Sequence, residues 1–428
     1  MTDRPTVIVG AGPAGATLAL LLARQGIPVV LIEASTDPAR RFRGEALMPH
    51  GLAVLEAMGL LPLPGAIPQQ PLEGWRFLLD GQELFQLPEP LEGGDGPGCT
   101  LISQPALLRH LLALVRCCPR ATVLEGQRVQ ALLWSGDRIA GVRLADGTAM
   151  EAQLVVAADG RSSALRQQAR LVLHSQAPSF DLLWFQVDAD TRSPLEGRFT
   201  TAVGQEGLFS AFEGASGGVQ IGWVQPPGAR NSDRDIDGAG WGRRLAALSP
   251  PELAVWWREQ SERISTPTRL AVMVGQAERW WRPGLLLLGD AAHPLSPVRA
   301  QGLNLALRDA WVAARALIPV LGNGGPAGWE PDAALPRALA WIERQRRPEI
   351  SGLQERQAAE TRRGRLLLEQ PLLRRWMRLQ GPWLGNLVAR RWRHDQTPLR
   401  QGLVALPGLP APAPDGARHD GGAQSEQP

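Results

Sequence analysis

The sequence predicts an α/β fold: a Rossmann-like domain with an inserted β-sheet domain and C-terminal helices. Three observations predict it. A short β-branched run enters a glycine-rich turn and then an apolar helix within residues 6–26. Two further apolar strands end in a paired acid and glycine, at Asp159-Gly160 and at Gly289-Asp290. Between those two strand ends lies a β-rich block, 180–224, and beyond the second a long Arg-rich helical stretch runs to about residue 400. Strands that alternate with helices imply a parallel sheet, and a β-only block among them implies a separate layer.

The first element is Thr6–Val9, a short buried strand. It runs into Gly10-Ala11-Gly12-Pro13-Ala14-Gly15, then a helical run to Gln25 stopped by Gly26, then a second strand from Pro28 to Ile32 that ends at Glu33. This strand–turn–helix–strand context turns a weak glycine pattern into a dinucleotide fingerprint. Gly10 permits the tight turn, Gly12 lets backbone approach a pyrophosphate, and Gly15 lets helix and strand pack; with Ala14 they form the contacting set. The helix N-terminus offers N–H groups and its dipole to phosphates. Glu33 stands where a carboxylate would accept from a ribose 2′-OH, which favours FAD or NAD over NADP at this site. The apolar run 7–23 could pass for a signal peptide, but its three glycines and the lack of a clear cleavage site argue against export.

From the turn to residue 120 the chain reads as helix and loop, with a helix over Leu107–Val115. Residues 121–156 read as several short strands, and Leu154–Ala158 as a buried strand ending in Asp159-Gly160-Arg161-Ser162-Ser163. The block 180–224 has turns at Gly204–Gly207 and Gly214–Gly218, and Leu285–Leu288 is a further strand followed by a helix from about Leu303 to Leu317. Residues 335–400 read as helices broken at Pro348, Pro371 and Pro382. The expected organisation is a cofactor domain over 1–178 with an inserted segment near 70–100, a β-rich substrate domain over 179–270, and a return to the cofactor domain over 271–330. A helical region over 331–400 and a disordered tail over 401–428 complete it.

Composition narrows the chemistry. Among 428 residues there is no Lys and no Tyr, so all 45 basic residues are Arg, against 42 acids. Schiff-base chemistry, pyridoxal-phosphate anchoring and a phosphate-loop lysine are excluded, as is any tyrosine nucleophile or acid. Three cysteines without CxxC spacing suit a reducing compartment, and six scattered His give no metal centre, so no metal ligand is assigned. The net charge of +3 and the absence of a recognition motif speak against nucleic acid.

The strand ends at Asp159-Gly160 and Gly289-Asp290 put a carboxylate and a glycine where parallel sheets bind ligands. With GAGPAG…E in front, ADGRSSALR in the middle and GDAAHPLSPVRAQGLNLALRDA behind, the chain resembles the FAD-dependent monooxygenases of the para-hydroxybenzoate hydroxylase and ubiquinone-hydroxylase superfamily, over roughly residues 5–360. Arg41-Phe42-Arg43-Gly44-Glu45 is similar to that family's arginine loop, and Leu101-Ile102-Ser103-Gln104-Pro105 to the segment whose glutamine faces the flavin. The resemblance implies FAD contacts from Arg43 and Gln104, and dual service to FAD and nicotinamide from Asp159, Gly160, Ser163 and Arg166. It implies that Gly289 and Asp290 reach the ribityl chain or pyrophosphate, and that Gly302 and Asn304 lie at the pyrimidine edge of the isoalloxazine.

The implied reaction consumes NADH or NADPH and O2, and hydroxylates an aromatic or quinone-like small molecule through a flavin C4a-hydroperoxide. It requires no protein nucleophile; the candidates for a direct role are Pro297 and Arg299. Arg299-Ala300 departs from the family's glycines, and the cation there would either bind an anionic substrate or point to solvent. A flavin-dependent reductase of the geranylgeranyl-reductase type is the alternative enzyme, and a flavin-binding scaffold the non-enzymatic one. A halogenase is excluded by the missing Lys.

Trp184 and Trp223 are expected in an apolar substrate pocket, with Trp75 and Phe185 nearby. His50 and His293 are the only bases near motifs, and His293 is expected to orient its loop. From Arg337 to Arg400 there are 15 Arg against six acids, interleaved with Leu and Trp at helical spacing. Two readings stay open: a peripheral membrane helix, or a helix packed on the cofactor domain with a solvated Arg face. The expected location is the cytoplasm, with membrane contact and oligomeric state left open.

Overall fold

The computed structural model describes residues 4–36, 45–91, 93, 96–176, 180–188, 193–227, 236–322 and 331–409. The α-helices placed among them are α1 (Pro13–Arg24), α2 (Pro49–Ala57), α3 (Gln104–Arg116), α4 (Ala164–Gln168), α5 (Gly238–Ala247), α6 (Pro251–Glu259), α7 (Gln301–Leu321), α8 (Pro331–Glu369), α9 (Pro371–Leu379) and α10 (Gly381–Gln401).

One layer is a six-stranded sheet in the order Trp281–Arg282, Leu285–Leu287, Leu154–Ala157, Thr6–Val9, Val29–Glu33, Ala121–Glu125. All neighbours run parallel except the edge strand Trp281–Arg282. Its central strands are unbroken apolar runs because both faces are covered. Helices α1, α3 and α7 bury one face, and the small antiparallel sheet over residues 129–151, with Ile350 and Leu353 of α8, buries the other. Helix α1 is apolar almost all round because it lies between the sheet, α3 and α7. Pro13 at its first turn and left-handed Gly26 (φ +72°) beyond its end bound it.

The second layer is a seven-stranded sheet in the order Thr268–Leu270, Asp181–Val187, Val219–Gln225, Gly207–Glu213, Arg198–Gly204, Gly74–Leu79, Gln82–Pro88. Its period of two divides the side chains cleanly. Leu183, Phe185, Phe209, Ile221 and Trp223 pack on α5 and α6 around Trp241 and Trp257. Leu182, Trp184, Phe199, Phe212 and Val224 face the opposite way, toward the first layer.

Three expectations need correction. The stretch before residue 120 is not helix and loop alone: Gly74–Leu79 and Gln82–Pro88 are strands, and the first pairs in parallel with Arg198–Gly204. That partner lies more than a hundred residues away, so no local pattern announces it. Pro348 does not break its helix; α8 runs through it. The lost hydrogen bond costs about 3 kcal/mol, but this turn also carries Arg346, Glu349, Ile350 and Leu353, all buried, and the first two are ion-paired to α7. Pro371 and Pro382 do stand in the first turns of new helices. Finally, the described part of the expected tail, residues 402–409 beyond α10, packs: Leu406 is buried in the α1–α7 core, and the Val404 and Pro407 carbonyls accept from Arg308 and from Trp311 (3.0 Å).

The C-terminal helices wrap both layers. Helix α8 packs on α7, and α10 lies along Gln82–Pro88, where a Cβ on Gly385 would come 2.2 Å from the Leu84 carbonyl oxygen.

Candidate active site

A cavity of about 1320 Å³ separates the two layers. One end is formed by strand ends of the parallel sheet. Gly10 sits at φ +103°, and a Cβ there would lie 2.3 Å from the Ala158 carbonyl oxygen; one on Gly15 would lie 1.9 Å from that of Gly10. Both must be glycine for the turn to close. Gly12 has open space around it and lines the cavity beside Ala14, so bare backbone at the start of α1 faces the void. That helix has no side-chain cap, and its first N–H groups are available to an anion. Glu33 closes this end, with Oε2 accepting from the Ala11 N–H (2.8 Å) and Oε1 from the Ser35 N–H (2.9 Å).

Further along, Asp159 and Gln104 line the void, and each has a buried oxygen, Oδ1 and Oε1, with no partner. Buried polar atoms are rarely left unsatisfied, so two such atoms at one cavity wall mark a place where something polar binds. Asp159 Oδ2 is held by the Leu165 N–H (3.2 Å). Gly289 turns at φ +60° and presents Asp290 to the cavity. The Asp290 carboxyl is accessible from the void, yet burial pushes its pKa up, against the opposing pull of His293 and Arg161.

Other expected contacts stand behind this surface. Arg166 is buried and donates to the carbonyl oxygens of Ala291 (2.8 Å) and Arg161 (3.1 Å), so it braces two cavity loops. Ser163 caps α4 by accepting from the Arg166 N–H. Gly302 lines the cavity, but the Asn304 side chain does not: it accepts from the Met48 N–H (2.8 Å) and donates to the carbonyls of Ala46 (2.9 Å) and Ala300 (3.1 Å). Asn304 clasps α7 to the segment before α2. Gln301 ties α7 to α2 itself through His50 Nε2 (3.1 Å), whose pKa burial lowers to about 3, with help from Arg308. Arg43 lies outside the described residues.

Arg299 does not point to solvent: its side chain is 8% exposed, and the residue lines the cavity. Its guanidinium pairs with Glu360 of α8 and sits 4.7 Å from the Trp392 ring centroid, 5.4 Å from Phe77 and 5.6 Å from Trp75. Arg299 (φ +64°) and Ala300 (φ +49°) are both left-handed. Two such non-glycine residues in succession persist only where surroundings hold them, and this aromatic cage supplies the hold. Pro297 lines the cavity one turn earlier.

Beneath the Gly289–His293 loop lies a buried ionic cluster. Arg346 donates to Asp309 (2.7 Å) and pairs with Glu349, Arg308 donates twice to Glu349 (2.8 and 3.1 Å), and His293 Nε2 meets Asp309 Oδ2 at 2.7 Å. Burial raises the Glu349 pKa, but Arg346 and Arg308 outweigh it and leave the group at about 2. His293 therefore orients its loop through Asp309.

The opposite end of the cavity is a chamber walled by Phe77, Trp184, Phe199 and Phe212 from the sheet and by Leu367, Met377 and Leu387 from the C-terminal helices. Trp223 and Phe185 are not in it. They occupy the far face of the sheet, since Trp184 and Phe185 are adjacent and a strand sends neighbours to opposite sides. Trp75 packs behind the chamber, over Phe199 and Trp392. The chamber residues that sequence reading missed, Phe77, Phe199 and Phe212, were legible only through the alternation within their strands.

A family model described as an FAD binding domain matches residues 3–331. The chain is 38% identical over 336 residues to 6-methylpretetramide 4-monooxygenase of Streptomyces rimosus, covering 74% of this chain and 75% of that one. The chain belongs to the FAD-dependent monooxygenases of the para-hydroxybenzoate hydroxylase superfamily. This flavin monooxygenase is also 28% identical over 346 residues to 3-demethoxyubiquinol 3-hydroxylase of Escherichia coli, across 77% of this chain and 82% of that one. A solved structure of Pseudomonas aeruginosa PqsL in complex with 2-aminobenzoylacetate superposes with a TM-score of 0.72 at 26% identity, over 85% of this chain and 96% of that one. The residues present fit FAD: a glycine cradle at a bare helix N-terminus, a carboxylate at the second strand end, and unsatisfied polar atoms on Asp159 and Gln104.

Proposed function

We propose that this monooxygenase uses NADH or NADPH to hydroxylate an aromatic or quinone-like small molecule held in the chamber. The balance is substrate C–H plus O2, NAD(P)H and a proton giving C–OH, water and NAD(P)⁺. Bound FAD supplies the hydride acceptance and the oxygen activation. The protein's part is to bind, orient and exclude water.

In this reading the α1 N-terminus and Gly12 take the pyrophosphate and Glu33 the ribose. Asp159 and Gln104 offer the polar contacts their unsatisfied atoms call for, and Gly160 lines the cavity with them. Asp290 lines the same wall, its pKa pushed up by burial against the pull of His293 and Arg161. Gly302 and the start of α7 aim backbone N–H groups at the ring end, where developing negative charge is stabilised. Pro297 shapes that wall.

The observation that carries the proposal is the join between the two halves of one cavity. The glycine cradle opens directly into a chamber of Phe77, Trp184, Phe199 and Phe212, whose faces suit a flat ring. Relatives named for 6-methylpretetramide, 3-demethoxyubiquinol and 3-amino-4-hydroxybenzoate support that substrate class. The test is a panel of aromatic compounds with the purified yellow protein in air. A true substrate accelerates NAD(P)H consumption and yields a product heavier by one oxygen atom. Product formed equally well without oxygen would restore the reductase reading, and flavin that neither nicotinamide reduces would restore the scaffold.

A further inference from the structure

Six large apolar side chains stand more than half exposed on the C-terminal helices: Leu366, Leu372, Trp376, Leu379, Trp383 and Leu387. Elsewhere among the described residues, exposed large hydrophobics are isolated, at Trp134, Val172 and Val255. Leu372, Trp376 and Leu379 follow at i, i+4, i+7 on α9, and Trp383 and Leu387 at i, i+4 on α10, so each helix turns an apolar stripe outward.

The inner stripe is already in use. Arg374 is buried and donates to Asp80 (3.0 Å), Met377 lines the chamber, and Leu384 and Ala389 pack inward with Gly385 against Leu84. The packed-helix expectation therefore holds for one side only, and there the main contact is the seven-stranded sheet. The outer side is not the purely Arg face that expectation described.

Arg375, Arg378, Arg390 and Arg393 are exposed beside the apolar stripes. Only two acids, Glu369 and Asp395, occur between residues 361 and 401. Both already pair with arginines, Arg365, Arg363 and Arg391. Two copies of the chain meeting on this face would set Arg against Arg, which the like charges oppose. Trp and Leu flanked by Arg suit a surface that is apolar beneath and anionic above.

We infer that α9 and the first half of α10 form a docking face for an anionic phospholipid bilayer. No helix among the described residues is long and apolar enough to cross a membrane, so the helices lie in the interface, with Trp and Leu in the acyl boundary and Arg among the headgroups. Burying each large apolar side chain strengthens binding by on the order of tenfold, and each Arg at the surface by about fivefold. Leu387 also lines the chamber, so lipid on this face would lie beside the chamber wall. The face would seat on lipid whatever ring the chamber takes.

The experiment floats the full-length, FAD-loaded protein with vesicles of phosphatidylcholine alone or mixed equally with phosphatidylglycerol. Expected is co-flotation with the anionic vesicles, weakened at least about tenfold on neutral ones and by about 0.5 M salt. Trp376→Ser with Trp383→Ser, and separately Arg375→Ser with Arg390→Ser, should each lower binding at least about tenfold while flavin content and melting temperature stay unchanged. Wild-type tryptophan fluorescence quenched by brominated anionic lipid is the matching readout that needs no substitution. No flotation, equal binding to neutral vesicles, unchanged binding by the variants, or absence of quenching overturns the inference. So does a dimer that the tryptophan pair disrupts without any lipid binding.

Discussion

Replacing Arg299 by alanine removes the hold on the loop before α7. The guanidinium lies 4.7 Å from the Trp392 centroid, with Phe77 and Trp75 at 5.4 and 5.6 Å, and a desolvated contact of this kind is worth about 2 kcal/mol. Its pair with Glu360, at 8% and 21% side-chain exposure, falls between a surface bridge of under about 1 kcal/mol and a fully buried one. Glu360 keeps a second bond, from Gln396 at 3.3 Å, which limits the penalty of leaving it behind. Together the loss is about 3 kcal/mol. Alanine at φ +64° retains a left-handed strain of about 1 kcal/mol that glycine would relieve. Arg299→Ala should therefore unfold about 3 kcal/mol sooner and Arg299→Gly about 2 kcal/mol sooner. Because the loop leads into the N-terminus of α7, both should also hold FAD more weakly. Urea unfolding of the holoprotein and flavin titration of the apoprotein measure the two effects. A wild-type unfolding midpoint for Arg299→Ala, or a glycine variant weaker than the alanine one, would refute the clamp.

Other substitutions separate roles that sequence alone blurs. Gly15→Ala puts a Cβ 1.9 Å from the Gly10 carbonyl oxygen, and the purified variant should carry almost no flavin absorbance; normal flavin content would mean the turn is not held as described. His50 has a folded pKa of about 3 against an ordinary value near 6.5, so its share of stability is full above about pH 6.5 and lost as pH falls toward 3, about 5 kcal/mol in all. Glu349, at about 2, adds a loss that starts only below about pH 4.5. Wild-type unfolding midpoints should fall between pH 6.5 and 4.5, and His50→Gln should flatten that segment; an unchanged slope would assign it elsewhere. Trp184→Leu should raise the substrate KM about tenfold through a lost chamber wall, whereas Trp223→Leu should cost about 2 kcal/mol of stability and leave KM alone. The reverse pattern would put the chamber on the wrong face of the sheet.

The cofactor end was the legible part of the sequence because its chemistry is local. Gly10, Gly12, Gly15 and Glu33 fall within one strand–turn–helix–strand unit, and the two later strand ends announce themselves through adjacent acid and glycine. The chamber was harder, since its walls are assembled by strand pairing at long range. Gly74–Leu79 joins Arg198–Gly204, and only that register decides that Phe77 and Phe199 face inward. Trp223 shows the cost of reading residue type without period: one position along the strand separates core from cavity. Asn304 and Arg166 follow motif expectations in position, but their polar atoms are spent on the protein's own backbone, a fact that only three-dimensional bonding reveals. The ionic cluster of Arg308, Asp309, Arg346 and Glu349 was hidden for the same reason, with two members on α7 and two on α8. The missing Lys fixes one consequence throughout: each of these buried cations is an arginine, with a rigid fork able to bridge two carboxylates.

The most direct test of the central claim is isotopic. With a substrate that stimulates NAD(P)H consumption, the reaction is run under 18O2 in ordinary water and the product mass is measured. Monooxygenation in this cavity predicts one 18O atom per product molecule, with no label when the isotope is supplied as water. A product labelled from water, or formed at full yield without O2, would contradict it.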